Sequence, residues 1–304
     1  MFILISNNYL KIVSFLIILP SFLFPKTNFP GMDIFSSSIH LSMGGAGYLK
    51  ASSLSSNTNP SIFESKMFSA SIIKYPAGIV NQNIGVTMPF QKHAFTTFLI
   101  NHVSYGTFEG YSEDFEPTGT YNSSDTKICA SYGKRLSRLP INFGIRSSFY
   151  LSNYDNYSFN IFSLSTGFIF RAVEQEMKLG LSFHDIAKST SHLIVELSPK
   201  VVISGSKNLK YLPLSLYIDL TYKEKSDFTA FIGGEFNLSK SLQLRFGSST
   251  RKFQQNIEQD LFSSFAGASG FGFGYETKEI IFNYGVYVFG TGTTSQSLEI
   301  NIRI

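Results

Sequence analysis

From about residue 67 onward the chain is organised by a period of two. From Leu214 to Lys223, Leu214, Leu216, Ile218, Leu220 and Tyr222 fall on one side of an extended chain, while Ser215, Tyr217, Asp219, Thr221 and Lys223 fall on the other. The end of the chain repeats this, with Leu298, Ile300, Ile302 and Ile304 alternating with Ser297, Glu299, Asn301 and Arg303. The same alternation runs through Ile84/Val86/Met88, Ile128/Ala130/Tyr132, Ile141/Phe143/Ile145, Met177/Leu179/Leu181/Phe183, Leu242/Leu244/Phe246 and Ile280/Phe282/Tyr284/Val286/Val288. With less regular segments near 67–75, 93–103, 157–170, 198–206, 226–236 and 263–275, the pattern predicts about 14 strands of roughly 9–11 residues, the length of a tilted membrane-crossing strand.

A sheet survives in lipid only without edges, because lipid offers no partner to a free N–H or C=O. The chain therefore reads as all-β, a transmembrane antiparallel β-barrel of about 14 strands with one face turned to lipid and the other to the lumen. Gly270, Gly272 and Gly274 alternate with Phe271, Phe273 and Tyr275, which predicts aromatics outward and bare backbone inward, with room left for something in the lumen. A soluble sandwich or lipocalin-like barrel also alternates. Its outward face would be rich in Lys and Glu, whereas here the strand charges are sparse: Arg146, Lys178, Asp219, Arg245, Glu299 and Arg303.

Composition supports the membrane reading. Of 304 residues 43% are apolar and 15% charged, against about a quarter charged in a soluble domain, and 31 Phe, 16 Tyr and 24 Gly favour short strands over helices. A mean hydropathy of +0.06 is too low for a polytopic helical membrane protein. The net charge of +4 shows no basic stripe along the chain, so no nucleic-acid partner is expected. Ile12–Phe24 is an apolar run behind Lys11, of the length of a secretory signal core. It predicts a signal peptide over residues 1–25, cleaved between Ser21 and Pro30, then a segment over 26–66 and the barrel over 67–304.

Candidate chemistry is thin. His40, His93, His102, His184 and His192 show no metal-ligand spacing, the G-x-S-x-G elbow is missing, Gly44–Gly47 lacks the phosphate-loop pattern, and Cys129 is the single cysteine. No catalytic residue, metal or cofactor is expected. Glu109, Glu113, Asp114 and Glu116 are the densest acidic group; they read as a solvated surface loop that could hold a cation or face a partner, though they match no EF-hand spacing.

Residues 32–66 break the strand pattern. Gly44, Gly45 and Gly47, a Ser/Asn stretch, and Asn59-Pro60-Ser61 resemble the N-terminal segment of the FadL-like outer-membrane barrels, which carry a similar Gly cluster and Asn-Pro-Ala and hold the segment in the lumen as a hatch. Farther on, Tyr105-Gly106-Thr107-Phe108-Glu109-Gly110, Thr118-Gly119-Thr120-Tyr121, Leu244-Arg245-Phe246-Gly247, Phe265–Gly274 and Phe282-Asn283-Tyr284-Gly285 are similar, in that order, to the PorV/PorQ family. Ile304 stands where such barrels usually end in an aromatic. The resemblance implies an outer-membrane component of the type IX secretion system in the outer membrane of a Gram-negative-type cell, with membrane lipid and secretion subunits or cargo as partners. The wider superfamily implies the alternative, a passive transporter of hydrophobic molecules across that membrane through a lateral opening.

Overall fold

The computed structural model describes residues 35–112, 114–136, 139–154, 157–189, 197, 199–223, 228–254, 266–290 and 292–304. The signal peptide, its cleavage site, residues 26–34, Glu113, His192 and Phe265 lie outside the described residues. Fourteen strands form one sheet: β1 Met67–Lys74, β2 Val80–Gln91, β3 Ala94–Tyr111, β4 Pro117–Arg135, β5 Ile141–Tyr154, β6 Tyr157–Ala172, β7 Met177–Ser189, β8 Lys200–Asn208, β9 Leu214–Lys223, β10 Thr229–Asn237, β11 Leu242–Ser249, β12 Ser269–Glu276, β13 Ile280–Val288 and β14 Thr294–Arg303. Each pairs antiparallel with its neighbours in sequence. The pairing of β1 with β14, Met67 opposite Arg303 through Lys74 opposite Gln296, closes the barrel.

Each segment expected from the alternation becomes one strand, but the lengths differ. The strands of 18 and 19 residues at β3 and β4 outrun the crossing length because this pair continues past the rim as a two-stranded ribbon; β6, of 16 residues, is paired along its length to β5 and over Ile161–Ala172 to β7. Pairing of β2 to β3 ends at Val80 opposite Ser104, and β5 reaches β4 only at Ser123. Over most of 105–122, then, neither outer edge of the ribbon is paired. Glu109 lies within β3 rather than in a loop; Asp114 and Glu116 lie in the turn at the tip.

The burial of the wall is inverted relative to a soluble protein. Ile84, Phe98, Ile218, Ile232 and Leu298 are about half exposed on the outer face, while Asn81, Asp219, Glu235, Arg245 and Glu299 are buried on the inner one. The paired backbone needs nothing from its surroundings, so the outer face is free to be apolar and meet lipid. Phe271, Phe273 and Tyr275 point out, and Gly270, Gly272 and Gly274 point in.

The two rims differ. Connections on the rim holding Met67 and Arg303 run from two residues, between β2 and β3, to five; on the opposite rim they reach nineteen, between β11 and β12. Short turns on one side and long loops on the other are the asymmetry of outer-membrane barrels. Residues 35–66 belong to no strand. They run within the barrel as a short helix α1, Ser38–Ser42, and a 3-10 turn, Ser53–Asn57.

Ile218→Arg should lower the fraction of protein migrating as a compact, unboiled band in SDS gels, by a destabilisation of about 2–4 kcal/mol near the membrane midplane, while Asp219→Asn should leave that band intact. Equal loss at both positions would show that the assigned wall phase is wrong.

Candidate functional site

The luminal segment has no ladder of its own, so its backbone polar groups need partners from elsewhere. The wall supplies them with the few charged and amide side chains that its inner face carries. Ser38 N donates to Glu299 Oε2 at 2.8 Å. Gly47 N and Tyr48 N both donate to Asp219 Oδ2, at 2.7 and 3.3 Å. Arg146 Nη1 donates to the carbonyls of Ser56 and Asn57 at 2.7 and 2.8 Å, and Lys127 Nζ donates to Asn57 Oδ1 at 2.6 Å. Asn81 and Asn142 reach the carbonyls of Phe35 and Ser61. Lys50 reverses the direction, sending its ammonium to Glu235 Oε1 at 2.6 Å; the other Glu235 oxygen accepts from Arg245 Nε at 2.8 Å. Charge-assisted bonds of this kind are the stronger class. Breaking one strands a buried charge.

Between these bonds the segment sits against bare backbone. A Cβ on Gly144 or Gly247 would overlap the carbonyls of Pro60 and Met43, and one on Gly167 would overlap the Asn59 side chain. On the segment itself, Gly44 has φ +64 and lies so close to the wall that a Cβ would stand 2.6 Å from the carbonyl carbon of Gly247; a side chain there would be strained and would clash. Gly45 lies over the ring of Phe231 and Gly47 beneath Met43. Small apolar contacts fill the remainder: Ile39, Met43 and Ala46 with Tyr217 and Phe231; Leu54 with Leu99 and Cys129; Leu49 and Ile62 with Ile169.

From the sequence, Asn59-Pro60 is expected to mark the turn from the luminal segment into the first wall strand, since Pro fixes φ, lacks an N–H for a ladder and biases Asn59 toward an extended conformation. The chain instead stays buried against the inner wall through Phe63 and then runs exposed over 64–66 before β1 begins at Met67. Asn59 folds its Oδ1 back onto Ser61 N at 3.0 Å and Ser61 Oγ at 2.6 Å. That local turn lies in the slot left by Gly144 and Gly167, so the triplet acts as a seat and the turn follows it.

His40, in α1, is placed edge-on between Phe35 and Tyr48, with Nε2 paired to the Gly45 carbonyl and Nδ1 without a partner. Burial holds its pKa down to about 3; the Gly45 carbonyl opposes this, and Lys200 and Arg251 add to it. Burial also disfavours the Lys50 ammonium, but Tyr217 and Glu235 outweigh it and hold the group above its usual value. Below the segment, toward the short-turn rim, lies a cavity of about 430 Å³ whose lining includes Lys50, Glu64, Lys178, Tyr217, Glu235 and Arg245.

The acidic group stands apart. Glu109 accepts from Tyr111 Oη at 2.8 Å and the Glu116 backbone N–H donates to Ser112 Oγ at 3.1 Å, on the ribbon tip beyond the opposite rim from the cavity. No three His, Cys, Asp or Glu side chains are gathered for a metal among the described residues. The seat residues of the wall, Gly144, Gly167, Arg146 and Asp219, are not singled out as one site by the sequence. Their only signal is a small or charged residue on the polar side of an alternating strand.

Two measurements test this seating. Gly144→Val should displace the segment and leave the barrel closed, so amide exchange at 55–63 should rise while strand amides stay protected. Stability carried by neutral His40 is complete above its unfolded pKa of 6.5 and declines as pH falls toward about 3. Protonation of His40 by itself should therefore cost seating about 2 kcal/mol between about pH 7 and about pH 5. The increase in exchange of residues 35–48 over that range should be larger in the wild type than in His40→Gln.

No protein-family model matches the chain, and no curated protein matches it. Solved structures do. A TodX monoaromatic hydrocarbon channel, in its deltaS2 mutant form, is 10% identical with a TM-score of 0.55, over 87% of this chain and 96% of that one. The CymD monoaromatic hydrocarbon channel is 9% identical with a TM-score of 0.57, over 88% and 97%. A Pseudomonas aeruginosa FadL homologue is 10% identical with a TM-score of 0.52, over 92% and 99%. This chain therefore has the fold of the FadL-like outer-membrane channels.

Proposed function

We propose that this chain is an outer-membrane channel of FadL-like type that passes small hydrophobic molecules, with residues 35–66 as its gate. The observation that carries this reading is how the segment is held: by side chains and glycine slots of the inner wall, not by the sheet. It can leave its seat without breaking one bond of the barrel ladder, which is what a gate requires. Apolar side chains at Leu99, Val103, Ile161 and Ile169 on the inner face give an apolar solute places to touch. The fold shared with channels named for monoaromatic hydrocarbons supports the solute class. In this reading residues 1–25 direct export, and the short-turn rim faces the periplasm.

One observation favours the second reading, a PorV/PorQ-type part in type IX secretion. The β3–β4 ribbon leaves both strand edges open and carries Phe108, Tyr111 and Phe115 exposed beside Glu109, Asp114 and Glu116, a surface suited to a protein subunit or cargo.

Deleting residues 35–58 separates the two. The truncated protein in planar bilayers should show steady ion conductance that the intact protein lacks, and cells carrying it should take up toluene faster. A truncated protein that conducts no more than the intact one would overturn the gate. Cargo export lost on removing 107–120, with toluene uptake unchanged, would favour the secretion reading.

A further inference from the structure

The short-turn rim gathers exposed cations that the sequence keeps far apart. Lys92, Lys210, Lys240 and Lys278 come from four connections, Lys134 and Lys207 from the rim ends of β4 and β8, and all six are exposed. Among the described residues none of the six stands in an ion pair; Lys210 lies over the ring of Tyr211 at 6.0 Å. The exposed carboxylates of this rim are fewer: Glu174, Glu176 and Glu279, with Glu64 already paired to Lys178 at 3.3 Å. Two of the lysines are in the lipid-facing rows. Lys134 is opposite Phe143, and Lys207 is opposite Leu216 and Met177. Interleaved with them are exposed apolar side chains, Phe90 at 64%, Leu139 at 54%, Val173 at 78%, Tyr211 at 90%, Leu212 at 55% and Leu238 at 51%. Apolar tips beside ammonium groups at the edge of a hydrocarbon belt match a headgroup layer: the stems lie along acyl chains and the charges reach outward.

We propose that this rim is a docking surface for anionic phospholipid headgroups, phosphatidylglycerol being the simplest, and that it fixes the depth of the barrel in the leaflet beneath it. The inference rests on the placement of this rim at the phospholipid leaflet. The charge of the surface selects the partner: each ammonium near an anionic leaflet favours binding by about fivefold, while a zwitterionic headgroup offers no net attraction. Depth matters to the rest of the molecule, because Glu64, Lys178 and the cavity mouth lie just inside the same rim.

The test uses the full mature protein in nanodiscs of phosphatidylcholine with a minor share of phosphatidylglycerol, released gently and weighed intact to count retained lipids. Phosphatidylglycerol should be retained well above its share. The triple variant Lys134→Gln, Lys207→Gln, Lys210→Gln should lose that enrichment by at least about tenfold, and the matching triple Lys→Arg variant should keep it. If the Gln variant fails to assemble, the wild type decides: enrichment should fall as salt rises from about 50 to about 500 mM. Equal retention of both lipids by the wild type, or enrichment insensitive to salt and to the Gln changes, would overturn the proposal. Polyglutamate in solution displacing the retained lipid would overturn it too, pointing to an acidic protein partner. Lipid retention is read without any conductance measurement, so a failed gate and a failed docking surface are distinguishable.

Discussion

Every backbone N–H and C=O placed in hydrocarbon must find its partner within the chain, because nothing in the surroundings can replace it. From that constraint the closure of β1 onto β14 follows, and with closure comes a division of labour. The ladder satisfies the main chain of the wall, so the outer side chains need only be apolar. The inner side chains are left over, available for whatever the lumen contains.

What the lumen contains is a length of chain with the opposite problem. Residues 35–66 carry only five residues of α-helix and a single 3-10 turn, so most of their backbone would go unpaired in a dry interior. The inner face of the wall answers with Asp219, Glu299, Arg146 and Asn81, each aimed at a main-chain group, and with glycines wherever the segment comes too close for a side chain.

Attachment by side chains has consequences for motion. A strand of the wall cannot leave without exposing its edges to lipid, whereas the segment would exchange only side-chain hydrogen bonds for bonds to water if it left its seat. The stability of the molecule is thus divided between a rigid wall and a seat whose hold depends on a few groups, Asp219, Lys50 and neutral His40 among them. Regions that move are drawn from the less stable part of a structure. In the proposed channel that part is the luminal segment, residues 35–66.

How much of this was legible in the sequence depends on the range of the interaction involved. Strand number, wall phase and the inward Gly270, Gly272 and Gly274 follow from alternation, a property of neighbours in the chain, and they could be read from residue types alone. The seat was not legible, because Gly144 meets Pro60 and Asp219 meets Gly47 across scores of residues, and only the closed barrel brings them together. The length of the β3–β4 ribbon was hidden too, since residues 105–122 lack apolar alternation and read as loop until cross-strand pairing is seen. The rim of lysines makes the point most plainly: a chain with a net charge of only +4 shows no basic stripe along its length, yet antiparallel winding returns every second connection to the same edge and stacks their charges there.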